Sequence, residues 1–170
     1  MATSSTKSSN RKPIIHNPIG FGKIPPQAIE LEEVVLGAIM LERDAFISVN
    51  EILRPEIFYT VAHQITFEAI QNLNSKAQPI DILTVTQELR SMGKLEEVGG
   101  HFYITHLTNR VASAANIEMH ARILTQEAMD RLIEDLAISK SEADADLSES
   151  QIEKFEFLAE YFEEDSNISA

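Results

Sequence analysis

The longest periodic segment of the chain settles most of what it can fold into. After Ser113-Ala-Ala-Asn116, residues Ile117, Ala121, Leu124, Ala128 and Leu132 recur every three or four positions. That spacing predicts a long amphipathic helix, running to about Ile138, with one apolar stripe against a core. Met129, Ile133 and Leu136 add apolar surface on a face turned away from the stripe. One small core rarely covers both faces. Either a following helix of the same chain or a second chain covers the other one, and a hairpin that pairs with its twin satisfies both readings.

The residues beyond supply a partner helix. A polar, acidic connector spans 139–146, and Leu147-Ser148 with Gln151-Ile152 then carries a helix start. Ser148 can cap the Gln151 N–H while Gln151 reaches back, and Leu147 can pack on Ile152. Ile152, Phe155, Leu158, Ala159 and Phe162 continue at helical spacing. The short connector folds this helix back antiparallel, so 113–163 reads as a helical hairpin and 164–170 as a frayed tail.

Upstream, residues 1–23 are rich in Ser, Thr, Asn, Lys and Gly, too poor in large apolar groups to repay the entropy of ordering. They are expected to form a disordered basic leader. The segment 24–112 reads as a helical globule. Pro25 and Pro26 suit a helix entrance, and a helix over about 27–41 carries Ile29, Val34 or Val35, Leu36, Ile39 and Met40 on a broad apolar face. Glu30, Glu32 and Glu33 fall in its early turns, where negative charge complements the helix dipole. A short helix over about 44–53 ends at Arg54-Pro55, and Ile57, Phe58 and Tyr59 form an aromatic knot. From Thr60 the pattern is helical again, with Ala62, Ile65, Ala69, Ile70 and Leu73 inward, Phe67 flanking, and residues 74–76 ending it. Asp81 is the expected N-cap of the next helix, with Leu83, Val85 and Leu89 as its apolar side and Gly93 as its C-terminal cap. Gly99 and Gly100 precede a last short helix over 101–109 with Phe102, Tyr103, Ile104 and Leu107. Nothing alternates with strand period, so the fold class is all-α: a globule of about six helices followed by a protruding antiparallel hairpin.

Charge and composition narrow the partners. The formal net charge is −13, yet Lys7, Arg11, Lys12 and Lys23 make the first 29 residues +4, leaving −17 for the rest. So acidic a body repels phosphate backbones, whose binding rests on Lys and Arg contacts, and direct nucleic-acid contact is not expected. The chain has no cysteine, which fits a reducing cytoplasm. No apolar run reaches the ~18 residues a bilayer span needs. The histidines His16, His63, His101, His106 and His120 show no metal-ligand spacing, and no Walker loop, dinucleotide fingerprint or Gly-x-Ser-x-Gly elbow occurs. The chain is read as non-enzymatic, with no catalytic residue, metal or cofactor of its own.

One ordered set of motifs is more specific. The run from Ile24-Pro-Pro-Gln-Ala-Ile-Glu30 through Val35-Leu-Gly-Ala-Ile39, Phe58-Tyr59 with His63, Pro79-Ile-Asp81 with Thr84 and Leu89, then Leu95, Val98-Gly-Gly100, Tyr103, Leu107 and Ser113-Ala-Ala-Asn-Ile117 closely resembles the N-terminal domain of bacterial DnaB-type replicative DNA helicases. The resemblance covers about 24–138, more loosely to Phe162. Ala112 stands where that family often has proline. The resemblance implies a non-catalytic collar domain whose hairpins pair between subunits of a hexamer built as a trimer of dimers, and which docks primase. It also implies that ATP and Mg belong to a RecA-like motor domain outside these residues. On this basis Met129, Ile133, Leu136, Phe155 and Phe162 are expected to carry self-association, and Tyr103, as an exposed aromatic anchor, together with Ile133 is expected to meet primase. A helicase loader is a further partner. The rival expectation is a stand-alone regulator that binds the collar of a host helicase.

Overall fold

A computed structural model describes residues 26–111, 113–141 and 156 of the chain. Among the described residues all regular structure is helical: α1 (Pro26–Leu41), α2 (Ala45–Val49), a 3-10 turn (Pro55–Ile57), α3 (Val61–Ser75), α4 (Ile82–Ser91), α5 (Gly100–Asn109) and α6 (Ile117–Ser141). The leader 1–23, the Ser148 capping box, Phe155, Phe162 and the tail 164–170 lie outside the described residues. Of the residues expected to form the second hairpin arm, Glu156 is described, as helical and exposed.

Helix α1 is the hub, packed against α3, α5 and α6. Val35, Leu36 and Ile39 are all but sealed from solvent, and they share one core with Phe58, Phe67, Ile70, Leu89, Leu107 and Leu124. The rings of Phe58 and Phe67 sit 5.2 Å apart, and Phe46 of α2 lies 6.1 Å from Phe67. The contact between α1 and α5 is closer than side chains allow. A Cβ on Gly37 would come within 2.2 Å of the Leu107 carbonyl oxygen and 2.7 Å of Val111 Cγ2, so only glycine lets the two backbones approach this far.

Local chemistry explains the helix ends. Thr60 is extended and its hydroxyl accepts from the His63 N–H at 3.4 Å. Asp81 accepts from the Leu83 and Thr84 N–H groups while the Thr84 hydroxyl takes the Asp81 N–H at 2.9 Å, a complete capping box. Helix α3 closes with Ala77 in the left-handed region, φ 52°, while the Gln78 N–H bonds back to Leu73 O at 2.9 Å. Gly99 and Gly100 both hold positive φ, 101° and 72°, a pair of conformations that side-chain-bearing residues resist. They turn the chain into α5.

Three sequence expectations are corrected here. Leu83 is 79 % exposed, because the capping box sets the first turn of α4 so that Val85 and Leu89 face the core while Leu83 does not. Helix α2 stops at Val49, where the Ile52 and Leu53 N–H groups both turn back to its carbonyl. Helix α6 runs through Ser141, so the first residues assigned to the acidic connector are helical.

Candidate functional site

Helix α6 is positioned at its base by the Ser113-Ala-Ala-Asn segment. The Ser113 hydroxyl accepts from the Ala115 N–H at 3.1 Å, and Glu42 Oε1 takes the Ala114 N–H at 3.1 Å, tying the segment to the end of α1. From there the predicted stripe faces inward as expected. Ile117, Ala121, Leu124 and Leu132 are buried, and Ala128 packs on the edge of the core.

The opposite face differs from the expectation in its membership. Met129 is only 5 % exposed within its own chain, whereas Ile133 is 54 % exposed. A pair four residues apart was expected to point outward together. Instead Met129 stands beside the buried Leu132 and Thr125 faces, three and four residues away around the helix. Met119 and Ile123, 55 % and 40 % exposed, share the outward row with Ile133, separated by the exposed Gln126 and Asp130, which bond to each other at 3.0 Å. Sequence reasoning missed Met119 and Ile123, although their four-residue spacing was there to be read. Leu136 lies on α6.

Behind this helix lies a buried polar relay. Glu32 is fully sealed on α1; its Oε1 accepts from the Tyr59 N–H at 2.6 Å and its Oε2 meets His63 Nδ1 at 2.6 Å. His63, also fully buried, reaches the Tyr103 hydroxyl of α5 through Nε2 at 2.7 Å. With Nδ1–H donating to the carboxylate and Tyr103 O–H donating to Nε2, each of these groups is satisfied. The imidazole and the Tyr103 ring stack nearly parallel, 6.0 Å between centroids. Burial first, then the Glu33 and Glu32 carboxylates, push the Tyr103 phenol up to about 12. Arg110 Nε lies 3.0 Å from Glu33 Oε2, a charge contact without a well-aligned hydrogen bond.

This relay corrects two readings. Glu32 and Glu33, expected in the early turns as acids complementing the helix dipole, are both buried, the first turn of α1 contains no acid, and Glu32 is engaged by Tyr59 and His63. Tyr103 is not an exposed anchor. Its hydroxyl is spent on His63, and the exposed aromatic of α5 is its neighbour Phe102, 78 % exposed, with the His101 ring 4.0 Å away. Spacing alone hid both, because Glu32, His63 and Tyr103 are far apart in sequence and meet only when α1, α3 and α5 pack.

Among the described residues no cluster of His, Cys, Asp or Glu could hold a metal ion, and no helix is long and apolar enough to cross a membrane. The outer side thus carries an apolar row on a long helix and an exposed aromatic on a short one, each backed by a tightly bonded interior.

Comparison with known proteins agrees with this build. Residues 113 in number align at 50 % identity with the replicative DNA helicase DnaB of Rhodothermus marinus, 66 % of this chain and 12 % of that protein. The DnaB of Geobacillus stearothermophilus is 44 % identical over 109 residues, 64 % of this chain and 24 % of its own length. The chain therefore spans a quarter or less of these two relatives. The crystal structure of the N-terminal domain of DnaB helicase from Mycobacterium tuberculosis superposes with a TM-score of 0.65 at 37 % identity, covering 68 % of this chain and 84 % of that one. A structure described as a DnaB-like replicative helicase and its interactions with primase shares the fold, with a TM-score of 0.52 at 23 % identity over 76 % of this chain and 34 % of that one. Residues 24–126 match the family model of the DnaB-like helicase N-terminal domain, and the chain belongs to that family.

Proposed function

We propose that this chain is the non-catalytic collar domain of a replicative DNA helicase, which associates with copies of itself through the hairpin built on α6 and docks primase. The observation that carries the reading is the outward row Met119, Ile123 and Ile133 on the long helix of a domain belonging to this family. Three large aliphatic side chains held in water on one helix face favour association with another apolar surface, at about 25 cal/mol per Å² of apolar area covered. Leu136, Phe155 and Phe162 extend this contact. Met129 supports it from inside rather than by touching a partner. For primase, whose interactions are described for the fold neighbour, the docking contacts are Ile133 and the α5 face, where Phe102 projects and Tyr103 holds the helix in place.

In this reading ATP and Mg are bound by a separate motor domain, the acidic body keeps clear of nucleic acid, a helicase loader is a further partner, and the protein works in the cytoplasm. Calorimetric titration with the helicase-binding domain of primase tests the docking half. The parent chain binds, and Phe102→Ala and Ile133→Asp weaken binding by about 2 kcal/mol or more, the size of a true anchor's loss. Absence of binding by the parent chain overturns primase docking, and unaltered affinity of both variants overturns the assigned contacts.

A further inference from the structure

A continuous line of polar contacts crosses the molecule from α6 to α5. Arg131 of α6 donates through Nη2 to the Ile57 carbonyl oxygen at 2.6 Å, and its guanidinium lies 5.6 Å from the centre of the Tyr59 ring. The backbone that receives Arg131 is gripped from the other side. The Tyr59 N–H is held by Glu32, and Glu32 is held in turn by His63 and, through it, by Tyr103. The apolar seating of α6 in the main core comes from Ile117, Ala121 and Leu124, with Ala128 at its edge. Arg131 lies beyond these four, between Met129 and Leu132, which are buried outside that core, on the half of the helix that carries Ile133.

We propose that Arg131 is the joint fixing the direction in which α6 leaves the globule, and that its hold depends on the Glu32–His63–Tyr103 relay, so that a change at Tyr103 reaches α6. A guanidinium fork holds a carbonyl and an aromatic face at once, which an ammonium does not. The Ile57 carbonyl and the Tyr59 ring are held in register by the buried Ile57 and Phe58 side chains, by Gln64 Nε2 donating to the Phe58 carbonyl at 2.8 Å, and by the Tyr59 N–H pinned to the Glu32 carboxylate. Without the Tyr103 hydroxyl the His63 ring loses its anchor at Nε2, and a shift of that ring is passed through Nδ1 to the carboxylate that holds the Tyr59 N–H. The exposed face of α5 and the outward row of α6 are thereby mechanically linked.

The chain has no cysteine, so Leu83→Cys on α4 and Ile133→Cys on α6, both exposed, take spin labels without further change. Labelled protein is diluted into unlabelled chain, and the distance distribution between the labels is measured by pulsed electron resonance. The parent gives one narrow distribution. Arg131→Ala and Tyr59→Leu broaden it, Arg131→Lys does so partially, and Tyr103→Phe broadens it although the altered hydroxyl bonds to His63 and not to α6. A broad distribution in the parent, or a narrow one in Arg131→Ala, overturns the joint. A Tyr103→Phe distribution as narrow as the parent's, beside a broad Arg131→Ala, overturns the link to the relay. Far-UV circular dichroism checks the fold of each variant; if Arg131→Ala unfolds, Tyr59→Leu decides, since it keeps the N–H bond to Glu32 and loses only the ring.

Discussion

The sealed pair Glu32 and His63 makes a quantitative prediction about stability. Replacing His63 by Leu leaves the Glu32 carboxylate with the Tyr59 N–H as its remaining donor, in a site with no solvent access on either side chain. Breaking a buried pair by removing one partner costs about 3–5 kcal/mol. Glu32→Met, unbranched like the residue it replaces, orphans the Tyr59 N–H and the His63 Nδ1–H instead, each costing about 1–3 kcal/mol. In the double variant Glu32→Met/His63→Leu the Tyr59 N–H is orphaned without a buried carboxylate or imidazole beside it, and Tyr103 is a half-buried residue whose hydroxyl is expected to turn to water. The cost of the pair of changes is about 1–3 kcal/mol. The double variant is therefore more stable than either single one, the reverse of additive behaviour. Urea unfolding followed by far-UV circular dichroism, at one protein concentration so that self-association contributes equally, reads the three differences from the midpoints at a shared slope. Single variants costing under about 1 kcal/mol, or a double variant costing the sum of the two, would refute the claim that the pair is a closed, mutually dependent unit.

Gly37→Ala drives a methyl group into the Leu107 carbonyl and lowers stability by about 1–3 kcal/mol, measurable in the same unfolding series. Ala77→Gly relieves a left-handed alanine and is expected to stabilise by up to about 1 kcal/mol, the relief of ~1–2 kcal/mol less the added freedom of the unfolded chain. Tyr103 ionises at about 12, and phenolate absorbance shows this late step vanish in Tyr103→Phe. The unfolded phenol releases its proton near pH ~10, so between about 10 and 12 the unfolded state binds fewer protons. The contribution of Tyr103 is complete below that window and lost as pH rises through it; Tyr103→Phe removes this part of the alkaline fall in stability.

The all-helical fold and the inward stripe of α6 were legible because both rest on periodicity, which burial of one face imposes directly on the sequence. The cap at Asp81 and the turn at Gly99-Gly100 were legible because each depends on two or three adjacent residues. What escaped depends on contacts distant in sequence. Glu32 resembles any acid in an early helical turn until α3 brings His63 beneath it, and Gly37 resembles an ordinary small residue until α5 crosses it. Tyr103 and Phe102 are adjacent aromatics on a short helix, and which one turns outward is decided by His63 on another helix. Met129 and Ile133 were paired by spacing, but the boundary between inward and outward faces fell between them.

The outward row of α6 remains the feature on which the functional reading turns. Light scattering on the size-exclusion peak over a concentration series, for the parent and for Ile133→Asp, tests it directly. The parent is expected to show a mass at a multiple of 19.0 kDa, rising with concentration, and Ile133→Asp to fall back toward a single chain while keeping its helical spectrum. A parent that stays at the mass of one chain throughout, or a variant that associates as well as the parent, would contradict pairing through this face.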